Sequence, residues 1–563
     1  MFGEQQGQRL FFAFLVAWGL LNAAQAAFTQ LDPDEAYYWV YARQLAWGYF
    51  DHPPMIAALI RGGYALFANE LGVRAGTIAL QLGSFYGIWL LLGQPQKKAE
   101  VWLLIGLLAA MPMLQVYGFI ATPDAPLLFF TVWFFWLYQR FVEKATWTHT
   151  LLLGLCMALL LYSKYHGVLL IFFTLLSNWR LLLHPRFYAA SVFGALLFVP
   201  HLYWQYAQDF PSFRYHLVGR DDPYELKHTL TYLLNQLVVF SPFLFPMIVL
   251  ALWRRRPADA LERAFYYIIF GFWLFFLYTT SKGHVEPQWT VILSIPFVII
   301  VWREAQQRPH YALWVQRLAV ATVLLLLVAR IALLKNNLFQ MKSDFHRSAW
   351  TGELQKQAKG LPVVFQNSYR DPAMYAFYTG EQPYTFTDAN YRKNQFDIWD
   401  WEKELHNRRV LIAGQPNWDC TDCHKTELTR KTVVLHIADS LQIAQKVRLD
   451  FVEAPVFRQG EAWRFTLVIE NPYAHTIRLG VGEMPVRFVG VWYDPQREMV
   501  ADFAVLQFDK PLHLLKPQAQ EAVVATIVTP ELPVGAYIFA LGVQTGDLPP
   551  AFNSRLVSVA IEK

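Results

Sequence analysis

Cysteine is scarce, with 3 in 563 residues, which excludes a disulfide-stapled scaffold. Charge is scarce too. Asp, Glu, Lys and Arg make up 16% of the chain and the formal net charge is only +5, so the basic surface that nucleic acid requires is not expected. The positive residues fall in short clusters between apolar runs, where they carry topology information instead. Internal repeats and low-complexity tracts are lacking. So is a phosphate-cradling glycine loop of the Walker type, and no nucleotide is therefore expected. What is abundant is apolar: 55% of residues are hydrophobic and 17% aromatic. A mean hydropathy of +0.23 suits a chain that is part membrane-embedded and part soluble.

A membrane span needs about 17 to 25 mainly apolar residues. Eleven segments are read this way, at about 10–28, 74–94, 100–119, 125–142, 150–163, 165–180, 187–206, 228–252, 262–280, 287–302 and 312–334. The first is expected to be retained as a helix, despite the weak cleavage site that Ala24 to Ala27 offer. With Arg9 in the cytoplasm, alternation puts Lys97 and Lys98, Arg140 and Lys144, Arg180 and Arg186, Arg254 to Arg256, and Arg303 and Arg308 on the inner face. Reading 150–180 as one span would send the triple arginine outside. Two spans with Lys164 at the outer turn satisfy the positive-inside rule. The first outer loop, 29–73, is long; 35–48 and the amphipathic 54–68 are expected to lie as helices on the outer face.

The expected architecture is a multi-span α-helical membrane domain over 1–335, followed by an extracytoplasmic α/β region over 336–430 and a β-sandwich-like region over 431–563. Strands are expected at 361–366 and 410–413, with a helix at 371–379. Beyond 430, alternating runs at 447–452, 463–470, 486–492, 522–528 and 537–543 are read as sandwich strands.

The same parity places Asp34, Glu35, Asp51, His52, Asp124, Lys164, Lys282, His284 and Glu286 at the outer ends of apolar segments. Clustering on one face is what a site built between membrane helices would produce. The Asp34–Glu35 pair is suited to metal binding or to accepting a proton from a nucleophile. Helix capping competes as an account of Asp34, Asp51 and Asp124, and the two roles can coexist. Pro53 and Pro54 stiffen the chain after Asp51 and His52. An ammonium between apolar helices, as at Lys164, needs water or an anion; snorkelling and phosphate binding both meet that need. Lys282, His284 and Glu286 put a cation, an imidazole and a carboxylate within five residues, as phosphate or metal ligands or as a solvated loop. Arg214, His216 and Arg220 in the outer loop 207–227 are candidates for a lipid headgroup or for solvation.

Asp34-Glu35, Phe50-Asp51-His52-Pro53-Pro54-Met55, Thr122-Pro123-Asp124-Ala125-Pro126 and Ser163-Lys164-Tyr165-His166-Gly167 occur in this order, with Ser281-Lys282 as a looser fit. In these motifs residues 8–335 resemble bacterial members of the GT-C glycosyltransferase superfamily, in the group of protein O-mannosyltransferases and lipid A aminoarabinose transferase. The resemblance implies a multi-pass protein of the bacterial cytoplasmic (inner) membrane that takes a sugar from a polyprenyl-phosphate donor. It implies transfer to a glycolipid, polysaccharide or protein on the outer, periplasmic side, with inversion. Asp34 then matches the acceptor-activating carboxylate, with Glu35 beside it, and Asp124 the second carboxylate. Lys164 matches a phosphate-side lysine. Asp51 stands where the aminoarabinose transferase binds metal, and His52 where that enzyme has a lysine near the lipid phosphate. The donor phosphate is expected to meet Lys164, Lys282, His52, Arg214 and Arg220, and a divalent metal of unspecified identity to meet Asp51, His52, His284 and Glu286.

Cys420-Thr421-Asp422-Cys423-His424 matches the c-type haem attachment pattern literally. The motif is single and lies in a folded α/β region without cytochrome-like surroundings, so a local disulfide or thiol pair is expected in preference to haem or metal. A lipid or glycan transporter or flippase is the main rival reading, since polar residues at membrane depth also mark substrate paths. A transport path predicts such residues on both halves of the membrane, whereas here they gather outside. A scaffold with a membrane anchor would not need so many spans.

Overall fold

The apolar runs fold as helices in the computed structural model of the chain, which describes residues 4–217, 223–340, 342–494 and 503–562. Helices are the form in which a backbone in lipid satisfies its own hydrogen bonds. Two units separate, Met1–His346 and Arg347–Lys563.

The first unit contains α1 (Glu4–Phe28), α2 (Pro33–Arg43), α3 (Met55–Leu66), α4 (Glu70–Leu91), α5 (Lys98–Ala109), α6 (Pro112–Val116), α7 (Asp124–Glu143), α8 (Trp147–Ser163), α9 (Gly167–Ser177), α10 (Pro185–Ala207), α11 (Pro211–Leu217), α12 (Leu226–Val239), α13 (Phe245–Arg254), α14 (Ala260–Thr279), α15 (Ser294–Gln307) and α16 (Pro309–Ala332). Six helical stretches among the described residues are long and apolar enough to cross a membrane on their own; the protein is a multi-pass membrane protein. Two expected segments are broken. The run 100–119 stops at Ala110 ahead of Pro112. The run 228–252 divides at Ser241, which takes a left-handed φ of 73° between α12 and α13. The 150–180 stretch is two helices, with Lys164 extended at the C-cap of α8.

In the first long loop the two expected helices form as α2 and α3, but α2 is buried from Glu35 to Ala42 where a surface helix was expected. α3 buries Ile56, Ala57, Ile60 and Gly63, one face at helical spacing. It crosses α4 so closely that a side chain on Gly63 would collide with the Gly72 backbone carbonyl, a contact only glycine permits.

In the second unit β1 (Val363–Gln366), β2 (Tyr384–Phe386), β3 (Arg408–Gly414), β4 (His424–Leu428) and β5 (Lys431–Leu441) form a sheet in the order β2-β1-β3-β5-β4. β1 runs parallel to β2 and β3, and β5 antiparallel to β3 and β4. The helix Arg370–Thr379 joins β1 to β2. Strands Val486–Tyr493, Gly535–Thr545 and Val557–Glu562 build a second sheet, and Arg448–Phe451, Ala462–Glu470 and Gln520–Val528 a third. The expected division at 430 falls inside the first sheet, because β5 pairs with β3 over Arg408–Gly414. Apolar packing crosses it as well: Val364 and Ile412 share one core with Trp463, Trp492 and Phe539. Cys420 and Cys423 are joined in a disulfide.

Candidate active site

The N-terminus of α2 is built as a capping box. Asp32 accepts from the Asp34 amide at 2.9 Å, and Glu35 reaches back to the Asp32 amide at 3.0 Å. Pro33 opens the helix, where its missing N–H is no loss. This local chemistry turns Glu35 inward and leaves Asp34 half-buried beside it.

Glu35 was expected as a catalytic carboxylate. It is instead wholly buried against Arg74 of α4, which donates Nε–Oε1 at 2.8 Å and Nη2–Oε2 at 2.5 Å. Its Oε1 also accepts from the Ala121 amide at 2.7 Å. Arg74 donates in addition to the carbonyls of Ala26, Thr29 and Gln30. A carboxylate with both oxygens occupied in this way holds the end of α1, the start of α2 and the 119–123 loop together; it is a positioning group.

Asp124 begins α7 and takes a bidentate hydrogen bond from Lys164, at 2.7 and 2.9 Å, with both side chains at least nine-tenths buried. The turn after Lys164 continues through His166, whose ring lies 5.6 Å from that of Trp289 and 5.4 Å from that of Phe276. This brings the α8–α9 turn beside the 280–293 segment. There Gly283, at φ 137°, lets the chain reverse between exposed Lys282 and His284. His284 Nε2 is 3.9 Å from Glu286.

The buried Tyr117 is where these pieces meet. Asp124, Asp32, Glu286 and Asp34, carboxylates from three separate stretches of chain, are all within electrostatic range of its hydroxyl. Patterning along the sequence gives no hint of Tyr117, which sits in an apolar run. Nor does it mark Arg74, or Arg330 of α16. Arg330 donates to Gln115 at 2.6 Å and Asn22 at 2.7 Å and lies over the rings of Trp18 and Phe119. The one signal that could have found Arg330 is a cation inside an apolar run, which the reading of the sequence did not use.

Asp51 belongs to an adjoining group. Its Oδ2 accepts from the Tyr41 hydroxyl at 3.1 Å, and its backbone carbonyl lies 3.3 Å from His216 Nε2. Asp51 also acts electrostatically on Tyr165, the neighbour of Lys164. Tyr165 is held by His201 and Gln205, each at 3.0 Å. His52 packs edge-on against Tyr38, 5.6 Å between ring centres. Arg214 pairs at the surface with Asp209, and Arg220 lies outside the described residues.

The expected metal set does not assemble. Among the described residues no three His, Cys, Asp or Glu side chains come together to hold an ion; His284 and Glu286 are a pair, and Asp51 is engaged by tyrosine and histidine groups. The cations and carboxylates present can instead neutralise a phosphate and take up a proton.

Residues 51–204 match the family described as dolichyl-phosphate-mannose-protein mannosyltransferase. No curated protein matches the chain by sequence. Among solved structures, ArnT from Cupriavidus metallidurans in the apo state aligns with a TM-score of 0.57 at 14% identity, over 76% of this chain and 98% of that one. The same protein bound to undecaprenyl phosphate gives a TM-score of 0.56 at 14% identity, over 77% and 98%. Arabinosyltransferase EmbB from Mycobacterium smegmatis is a weaker likeness, with a TM-score of 0.38 at 11% identity over 98% of this chain and 64% of that one. The likeness to ArnT shows a shared fold over about three quarters of this chain, 76% in the apo alignment.

Proposed function

We propose that the protein is an integral-membrane glycosyltransferase that moves a sugar from a polyprenyl-phosphate donor to an acceptor on the extracytoplasmic side, with inversion. The observation that carries this reading is the buried Asp124–Lys164 pair, in a fold shared with a protein solved with undecaprenyl phosphate bound; Asp34 and Glu286 lie within electrostatic range of the same Tyr117 as Asp124. The bacterial inner membrane as location, and a periplasmic Arg347–Lys563 unit, belong to the same proposal.

In the reaction the bond between the anomeric carbon and the donor phosphate breaks, and polyprenyl phosphate leaves with the electron pair. Lys164 stabilises that charge, with Lys282 as a further cation and His52 as a further hydrogen-bonding group, since preorganised positive charge acts most where water is excluded. Lys164 is held by Asp124 in this structure, so an arriving phosphate competes with Asp124 for the ammonium. The acceptor oxygen attacks from the opposite face, its new bond inverts the centre, and Asp34 takes its proton. Asp34 has the exposure that Glu35 lacks. The energy resides in the phosphate–sugar bond. The acceptor is a glycolipid, polysaccharide or protein.

The test is polyprenyl-phosphate release by the purified full-length protein in lipid nanodiscs, with Asp34→Asn and Lys164→Met. Losing a general base lowers turnover by about 10²–10⁴-fold and losing an electrostatic stabiliser by about 10²–10³-fold, while Asp34→Asn still binds donor. Unchanged turnover in both variants would refute the assignment.

A further inference from the structure

The Arg347–Lys563 unit contains a cavity of about 440 Å³, within the range of about 300–1,000 Å³ common for small-molecule sites. Its position follows from topology. The chain leaves β1 through the helix Arg370–Thr379 to β2 on one side of it, then returns to β3 on the other. In open α/β sheets the crevice outside the carboxyl ends of strands at such a reversal is where ligands bind. Gln366 ends β1, Asp388 follows β2 and Gln415 follows β3, and all three line the cavity.

These groups are held in place by one another. Asp388 Oδ2 accepts from Asn367 Nδ2 at 2.7 Å and Gln366 Nε2 at 3.2 Å, and its Oδ1 from the Asn390 amide at 2.8 Å. Gln415 donates from its side chain to the Gln366 carbonyl and from its backbone to the Gln366 side chain, each at 3.0 Å. Asn367 and Ser368 are both left-handed, with φ of 59° and 61°. Consecutive non-glycine residues in that region are held by surrounding contacts and concentrate at functional sites.

The lining chooses the ligand class. It is made of amides, hydroxyls and two carboxylates, and among the described residues no Lys or Arg lines it. Asp371 is paired with Lys431 at 2.6 Å and Asp388 with amides, so the lining offers no cation of its own to a phosphate or an acidic sugar. A metal would lack a three-ligand cluster. Vicinal hydroxyls both donate and accept, as amides and carboxylates in combination require. Half-buried Tyr391 supplies an amphipathic ring of the kind that packs against an apolar face while its hydroxyl stays hydrogen-bonded.

We propose that this cavity binds a short saccharide without acidic groups, one or two sugar rings in size. The site is separate from the membrane unit, and the proposal does not rest on the transfer reading.

Saturation-transfer NMR tests it on the full-length protein in glycoside-free nanodiscs, with D-mannose, D-glucosamine and N-acetylglucosamine as probes and inorganic phosphate as competitor. At least one sugar is expected to give a signal that phosphate does not displace. Asp388→Asn and Asn417→Ala should each weaken binding about tenfold, the scale of one lost polar contact. Asn417 is an exposed loop residue, so its variant decides the matter if Asp388→Asn does not fold. Lys164→Met should lower turnover by about 10²–10³-fold and leave the sugar signal intact. No signal from any sugar, a signal unaffected by Asn417→Ala, displacement by phosphate, or loss of the signal in Lys164→Met would each overturn the proposal.

Discussion

Arg74 and Glu35 bury opposite charges with no exposed surface on either side chain. Removing one partner strands the other in a low dielectric, at about 3–5 kcal/mol, and here it also frees the carbonyls of Ala26, Thr29 and Gln30. Arg74→Ala is therefore expected to lower the thermal midpoint and the folded yield sharply, and Arg74→Lys only partly to restore them, since an ammonium has no planar fork. Fluorescence-detected size exclusion on heated samples reads both. A second single-residue effect lies in the soluble unit. Burial, with His475 beside it, pushes His406 down from 6.5 to about 4; the two rings stack at 3.5 Å, and His406 Nδ1 accepts from the Ile443 amide at 3.2 Å. The unfolded chain then binds the proton first as pH falls. The stability contributed is complete above about 6.5 and is lost towards about 4. Melting temperatures across that window should fall with pH, and less steeply in His406→Gln.

Among the elements, α2 links local sequence to the site most directly. The Asp-Pro-Asp-Glu run at 32–35 sets the cap, the first turn and the opposite facing of Asp34 and Glu35 at once. Asp32→Ala removes an N-cap, for which about 0.5–2 kcal/mol is typical. Because Asp32 also accepts from the Asp34 amide at 2.9 Å and so fixes how Asp34 is presented, the variant should lose activity beyond what its modest fall in melting temperature accounts for. Equal activity per folded molecule would limit Asp32 to capping. The α8–α9 turn shows the same economy: placing Lys164 at a C-cap ends one helix and delivers the ammonium to Asp124.

For the whole molecule the decisive quantity is sidedness. The Lys164 turn and the segment that follows 281–287 adjoin through His166 and Trp289, so they are expected on one face of the membrane. Single cysteines introduced at His284 and at Tyr224, in a background with the native cysteines replaced, should react with an impermeant maleimide in intact spheroplasts, and one at Arg255 only after lysis. Reaction of Arg255→Cys in intact spheroplasts would reverse the orientation.

Periodicity and charge made the helical segments, the two-helix reading of 150–180 and most strands beyond residue 430 legible, because apolar length and K/R placement act locally on each segment. Asp34, Asp124 and Lys164 were legible as polar groups at segment ends, where burial needs a reason. The Lys164–Asp124 bond, the occupation of Glu35 by Arg74, the gathering of carboxylates about Tyr117 and the β3–β5 pairing across residue 430 were not legible. Each joins residues far apart in the chain. Only the packing of helices and strands decides which distant charge a buried group meets, and the chain order carries no distance information of that kind.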